Sequence, residues 1–261
     1  MGSALWFRLG FLLVLPATVL AQDSLLEASK IPDHVATAAT TPSPTPLSPE
    51  KRADILMARK MYREAAEMYK EAKPDSAIIE NKIGIAYHQM MQVDIAKRYY
   101  EKAIKLDGNY AEAVNNLGTI YYSRKSYRRA TKLYQRALKS SPNSASIYSN
   151  LGTAFFARRN YKSAAEAYQK ALALDPDVFE HRNSWGVLLQ ERSVDDRAKF
   201  HYYLAKTYAK AGMNERAITY IRKALEEGFS DRKKMMEDPE FTSLRKMPEF
   251  QELLTLEPRV L

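Results

Sequence analysis

The chain has 261 residues, 46% of them apolar and 27% charged, an ordinary balance for a soluble protein. Its formal charge of +9 and pI near 9.4 favour anionic partners without naming one. Cysteine is absent, which excludes a disulfide framework, thiolate metal sites and a lipid-modified cysteine, and suits an oxidising compartment.

Residues 1–21 read as a secretory signal. Arg8 precedes the apolar run Leu9 to Leu15, Pro16 breaks it, and Val19-Leu20-Ala21 offers a small-x-small cleavage site ahead of Gln22. The run is well short of the roughly 20 residues that span a bilayer. The mature chain is therefore expected to be exported, periplasmic or secreted, and not transmembrane. Residues 22–49 shift to Thr, Ala, Ser and Pro, densest at Thr41-Pro-Ser-Pro-Thr-Pro-Leu-Ser-Pro49. Proline fixes φ and removes donors, and few apolar side chains are present to offset ordering, so an extended, disordered linker is expected.

From residue 50 the chain turns helical and periodic. In 111–144, Leu117-Gly118-x2-Tyr121 is followed by Ala130-x3-Tyr134, Ala137 and Pro142; in 145–178, Leu151-Gly152-x2-Phe155 is followed by Ala164-x3-Tyr168, Ala171 and Pro176. Residues 77–110 repeat the pattern with Ile83-Gly84-x2-Tyr87, Ala96-x3-Tyr100 and Ala103, while 50–76 carries its second half, Ala65-x3-Tyr69-x2-Ala72. Trp185-Gly186 continues it, so Gly84, Gly118, Gly152 and Gly186 recur every 34 residues. Glycine inside a helix costs about 1 kcal/mol relative to alanine, so its periodic return implies the close approach of a neighbouring helix. The alanines have the same reading on the second helix, and Tyr87, Tyr121, Phe155, Tyr100, Tyr134 and Tyr168 are expected to fill the space between helices.

These blocks resemble the tetratricopeptide repeat family, whose 34-residue period and W-x2-L-G-x2-Y, A-x3-F, P pattern they match over roughly 50–227. The resemblance implies an all-α fold, a right-handed superhelical solenoid of antiparallel helix pairs, in an exported bacterial protein. Residues 179–227 are irregular in phase. Ala198-x3-Tyr202-x2-Ala205 fits a second helix, yet Leu204-Ala205-x2-Tyr208, Ala217-x3-Ile221 and Ala224 read as a fresh repeat. Residues 228–261, with Asp238-Pro-Glu-Phe241 and Pro248-Glu-Phe250, are predicted to form two short helices that cap the array.

Signatures of catalysis are missing. No two glycines lie closer than eight residues, which excludes Walker, G-x-G-x-x-G and G-x-S-x-G loops. His34, His88, His181 and His201 lack metal-ligand spacing, and Ser230-x2-Lys233 lacks the S-D-N and K-T-G elements of an S-x-x-K enzyme. Asp195-Asp196 after Ser193 reads as helix capping. No enzymatic activity and no cofactor are expected.

In the resembled family the first helix of each pair lines a concave groove that holds extended peptides. The resemblance places Asn81 and His88; Asn115, Asn116, Thr119 and Tyr122; Ser149, Asn150, Thr153 and Phe156; and Asn183 and Gln190 along it. Asparagine amides carry donor and acceptor and suit a peptide backbone, and Tyr122 and Phe156 would add aromatic anchors. The lysine by which some relatives grip a terminal carboxylate is absent from these helices; Lys199, Lys206 and Lys210 are its nearest substitute. A second candidate is the basic patch Arg124, Lys125, Arg128, Arg129, Lys132, Arg136 and Lys139, opposed within 111–144 by Glu112 alone. The expected function is a cell-envelope scaffold that binds protein or extended peptide in the groove. The alternative is a module adhering to anionic lipid or polysaccharide through the patch. Export argues against a nucleic-acid partner.

Overall fold

The computed structural model describes residues 46–72, 75–180 and 194–255, all within the compact unit Pro46–Leu261. The signal expected over 1–21, the linker expected over 22–49 as far as residue 45, and the helix expected around Gly186 with its groove residues Asn183 and Gln190, lie outside the described residues; Pro49, expected in the linker, already opens the first helix. Those described are all-helical, without strand. The order is α1 (Pro49–Ala58), α2 (Tyr62–Lys70), α3 (Ala77–Gln89), α4 (Val93–Leu106), α5 (Ala111–Ser123), α6 (Tyr127–Ser140), α7 (Ala145–Ala157) and α8 (Tyr161–Leu174). Then come α9 (Val194–Lys210), α10 (Asn214–Glu226), α11 (Arg232–Glu237), two 3-10 turns, Pro239–Phe241 and Leu244–Lys246, and α12 (Pro248–Thr255). Helices α1 to α10 pack as five consecutive hairpins, which makes the fold an antiparallel helix-pair solenoid.

One turn joins the helices of every pair. Lys60, Met91, Lys125 and Arg159 hold φ between 58° and 61°, and Gly212 holds 76°. The following amide reaches back over the turn, from Met61, Gln92, Ser126, Asn160 and Met213 to the carbonyls of Leu56, Tyr87, Tyr121, Phe155 and Tyr208, at 2.9–3.0 Å. This is the Schellman closure, in which a left-handed residue lets the chain cap the last carbonyls of a helix. Glycine is the residue with the least steric cost there. Only the fifth turn uses it.

These turns give every pair a common register, and the core follows from it. Five positions after the left-handed residue stand Ala65, Ala96, Ala130, Ala164 and Ala217, all sealed from solvent, and seven further on stand Ala103, Ala137, Ala171 and Ala224, equally sealed. Nine after it stand Tyr69, Tyr100, Tyr134 and Tyr168, and seven before it Gly84, Gly118 and Gly152. A Cβ on those three glycines would come within 2.5–2.6 Å of the tyrosine ring of the same pair. The close approach is thus made by a ring.

The tyrosine hydroxyls explain further positions. Tyr134 Oη donates to Thr119 Oγ1 at 3.4 Å, Tyr168 Oη to Thr153 Oγ1 at 3.2 Å, and Tyr69 Oη to Asp54 at 2.5 Å, from the same place on three first helices. That place in α3 is Ile85, which cannot accept. There Tyr100 Oη turns to His88 Nδ1, 3.3 Å away.

At the far end the phase changes. Tyr203, in the middle of α9, stacks on Tyr161 at the start of α8 (4.5 Å between centroids), whereas Tyr208, late in α9, meets Phe179 beyond the end of α8 (6.1 Å), and Arg216, just past the turn that ends α9, reaches Pro176 and Asp177 there. Helix α9 therefore runs alongside α8 in the same direction, where the regular array would reverse. It is the first helix of a pair with α10, and Ala205 and Ile221, both fully buried, hold the positions of the glycine and tyrosine. The tail closes this end: Phe241, Leu244, Phe250 and Leu253 are buried, and Phe229 stacks on Tyr202 at 4.3 Å. Of the two proline-led segments expected there, Pro248 opens a helix and Pro239 a single 3-10 turn, with α11 preceding them.

Candidate functional site

The first helices α3, α5 and α7 were expected to offer free amides, but they place them against one another. Asn116 Nδ2 donates to Asn81 Oδ1 and Asn150 Nδ2 to Asn115 Oδ1, each at 3.0 Å, while Asn115 Nδ2 approaches Asn116 Oδ1 at 3.4 Å. All four residues are at most 8% exposed, so the amides form a continuous internal clip between successive pairs. One pair earlier the same contact is ionic: Lys82 Nζ lies 2.9 Å from Glu50 and 2.8 Å from Asp54. Burial works against the Lys82 ammonium, but these two carboxylates outweigh it and hold its pKa above the ordinary lysine value. A buried amide left without its partner is costly, which is why asparagine recurs at these positions.

The aromatic residues exchange roles with respect to expectation. Tyr122 and Phe156, expected in the groove, are buried against the first residue of the next helix, Tyr127 at 5.1 Å and Tyr161 at 5.3 Å. Tyr87, Tyr121 and Phe155, expected inside, are half-buried. Thr153 is buried and, like Thr119, accepts from a core tyrosine. Of the expected groove residues, His88, Thr119 and Ser149 keep partial exposure. Burial pushes the His88 imidazole below its ordinary pKa, so it is neutral at pH 7. The open stripe on these helices continues through Ile78 and Gln89 on α3, Glu112 and Ser123 on α5, and Ser146 on α7. Those residues carry no motif, and only the helical period places them beside Thr119 and Ser149.

The lysines proposed as a carboxylate grip are also separated. Lys206 is held by Asp238 at 2.8 Å and Glu240 at 3.3 Å from the chain's own tail, whereas Lys199 and Lys210 are exposed.

The basic patch divides into two parts. Arg124 pairs with Asp94, and Arg136 donates to the Gly108 carbonyl at 2.7 Å, so both tie α5 and α6 back to the preceding pair. Lys125, Arg128 and Arg129 instead line an open concavity that Arg158 completes from the next pair. Arg129 rests over the Tyr121 ring, 5.6 Å from its centroid. Lys125, Arg128, Lys132, Lys139 and Arg158 make no ion pair among the described residues. Helix α6 has no acid in its first turn and no side-chain cap at Ser126, so nothing of its own offsets this charge. Arg158 lay outside the patch as read from sequence, because its partners stand a full repeat away.

Among the described residues no three His, Cys, Asp or Glu side chains converge as metal ligands, and no helix is long and apolar enough to cross a membrane.

Comparison with known proteins agrees with this geometry. A family model described as tetratricopeptide repeat matches residues 81–145 and 122–179, and a second model of that description matches 198–227. Among solved structures, one described as a functional characterization of Pseudomonas aeruginosa pilF superposes with a TM-score of 0.52 at 18% identity, over 79% of this chain and 85% of that one. MamA from Desulfovibrio magneticus RS-1 gives 0.47 at 20% identity, over 73% and 95%. No curated protein matches by sequence. The second match begins inside α9 and covers α10, so both sequence and packing treat α9–α10 as a repeat of its own. The chain belongs to the tetratricopeptide repeat family.

Proposed function

We propose that the protein is a non-enzymatic scaffold of the bacterial cell envelope that holds an extended polypeptide along the first-helix face of its solenoid. The observation that carries this reading is the open stripe on α3, α5 and α7, three rows of mostly polar side chains, with Ile78 at one end, over a face whose deeper amides are already paired. A partner there meets hydroxyl, amide and carboxylate groups from Gln89, Glu112, Thr119, Ser123, Ser146 and Ser149, over a rigid floor. A preorganised floor lowers the ordering cost of binding. Envelope location rests on the signal read in residues 1–21.

A photo-crosslinking residue placed at Glu112 or Ser123 in the full chain, within its source cells, tests the groove. Adducts to a polypeptide are expected from both positions and not from Gln135, on the opposite helix α6. Equal adducts at all three, or none at the groove positions, overturn the reading. Recovery of the chain in the cytoplasmic fraction with residues 1–21 intact would remove the envelope from it.

A further inference from the structure

The charge of this protein is sorted by edge. The left-handed residues Met91, Lys125 and Arg159 follow one another at 34-residue intervals, Lys60 precedes them, and each marks the turn inside a pair. Successive turns of this kind are neighbours, since Arg158 shares a concavity with Lys125 and Arg128, and Arg124 reaches Asp94 at the previous turn. The four turns and the helix starts that follow them, 59–64, 90–95, 124–129 and 158–163, contain ten basic residues and two acidic ones, a balance of +8 in a chain of +9. One of the two acids, Asp94, is already paired with Arg124. The connections between pairs, 71–76, 107–112, 141–146 and 175–180, contain seven acidic residues and one basic. The solenoid therefore carries a charge dipole across its width.

Two further observations concern the basic edge. Large apolar side chains stand exposed between the charges: Met91 is 73% exposed, Met61 40% and Ile95 36%. The left-handed positions also hold lysine, arginine or methionine where glycine fits with less strain. The fifth turn, which the reversal at α9 carries over toward Asp177 on the acidic side, does hold glycine. Among the described residues, lysine, arginine and methionine are thus kept in an unfavourable backbone conformation on this edge, while the connections hold only the short Asp75 in it, at φ 58°.

We infer that the edge formed by these four turns docks on an anionic lipid bilayer, with Lys60, Lys125, Arg128, Arg158 and Arg159 at the headgroups and Met91 entering the interface. A bilayer fits better than an acidic peptide because the charge is spread over four turns rather than gathered in a cleft, and because exposed methionine between cations matches a surface that is charged outside and apolar beneath. The acidic edge faces away, which orients the solenoid edge-on and leaves the first-helix face open. This inference goes beyond the groove reading and does not depend on it.

Vesicle co-sedimentation of the full chain tests it, with 30% phosphatidylglycerol in phosphatidylcholine against phosphatidylcholine alone. Each cation at an anionic bilayer contributes about a fivefold gain in binding, so replacing Lys125, Arg128, Arg158 and Arg159 together by glutamine should weaken partition by at least about 100-fold. Replacing Lys105, Lys132 and Lys139, which are exposed elsewhere, should leave partition within about threefold of the parent. Met91→Trp should show a blue-shifted emission with anionic vesicles only. Equal loss in both charge variants would mean that net charge alone is read, and would overturn the proposal. So would equal binding to neutral vesicles, which would point to the apolar N-terminal segment. Binding to soluble heparin as tight as to vesicles, with no blue shift at position 91, would replace the bilayer by a polyanion.

Discussion

The pair α5–α6 and the pair α9–α10 perform the same packing with different residues. In the first, Gly118 yields to the ring of Tyr134, whose hydroxyl finds Thr119. In the second, Ala205 and Ile221 hold those positions, and the place of Thr119 is taken by Lys206, freed of any hydroxyl to satisfy and bound to Asp238 instead. The first pair, with Ala53 beside a Tyr69 whose hydroxyl goes to Asp54, lies between them. What the fold constrains is the summed volume and polarity of three positions, and no single residue among them. An interior pair, fixed by neighbours on both sides, has the least room to deviate.

That comparison can be broken at graded strength, with urea denaturation as the measure. Tyr134→Ala removes a fully buried ring and should cost about 3–5 kcal/mol. Gly118→Ala forces a Cβ to within 2.6 Å of that ring and should cost about 1–3 kcal/mol despite the better helix propensity of alanine. The double variant Gly118→Ala with Tyr134→Ile reproduces the α9–α10 solution. Its stability should exceed the sum of the single effects by about 1 kcal/mol or more, and simple additivity would show that the two positions are not coupled.

Smaller effects separate the clips and turns from the core. Asn116→Ala leaves Asn81 Oδ1 without its donor in a buried place and should cost about 1–3 kcal/mol. Lys125→Gly relieves a left-handed lysine at φ 58° and should stabilise by about 0.5–1 kcal/mol; the same change is already present at Gly212 and can bring nothing more there. The smallest effect concerns His88, which replaces the missing acceptor at Ile85. Its pKa is lowered by burial, so between the ordinary histidine value near 6.5 and its folded value the unfolded chain binds more protons, and stability falls as pH drops through that window. The urea midpoint should decrease from pH 7.5 to 5.5, and His88→Gln should flatten that decrease.

Much of the hairpin array was legible in the sequence, because glycine, alanine and tyrosine recur at fixed intervals and close packing has a steric signature that period alone reveals. The face of each first helix was less legible. Asn116 and Asn150 stand two places before the glycine whether they meet a ligand or another asparagine, and choosing between these requires knowing that positions 35 residues apart are in contact. Tyr121 and Tyr122 pose the same difficulty, since neighbours in sequence differ by 100° around a helix and the crossing of the next pair decides which is buried. The doubled reading of 194–210 had the same origin.

By itself the sequence determined that this chain builds stacked helical hairpins, where their cores lie and how much charge they carry, all of which follow from local period and composition. Only the tertiary structure decided that the asparagines clip pairs together, that α9 runs parallel to α8, and that the basic turns and the acidic connections gather on separate edges. Each of these depends on which residues become neighbours when repeats stack, and stacking is a long-range event that no single repeat encodes.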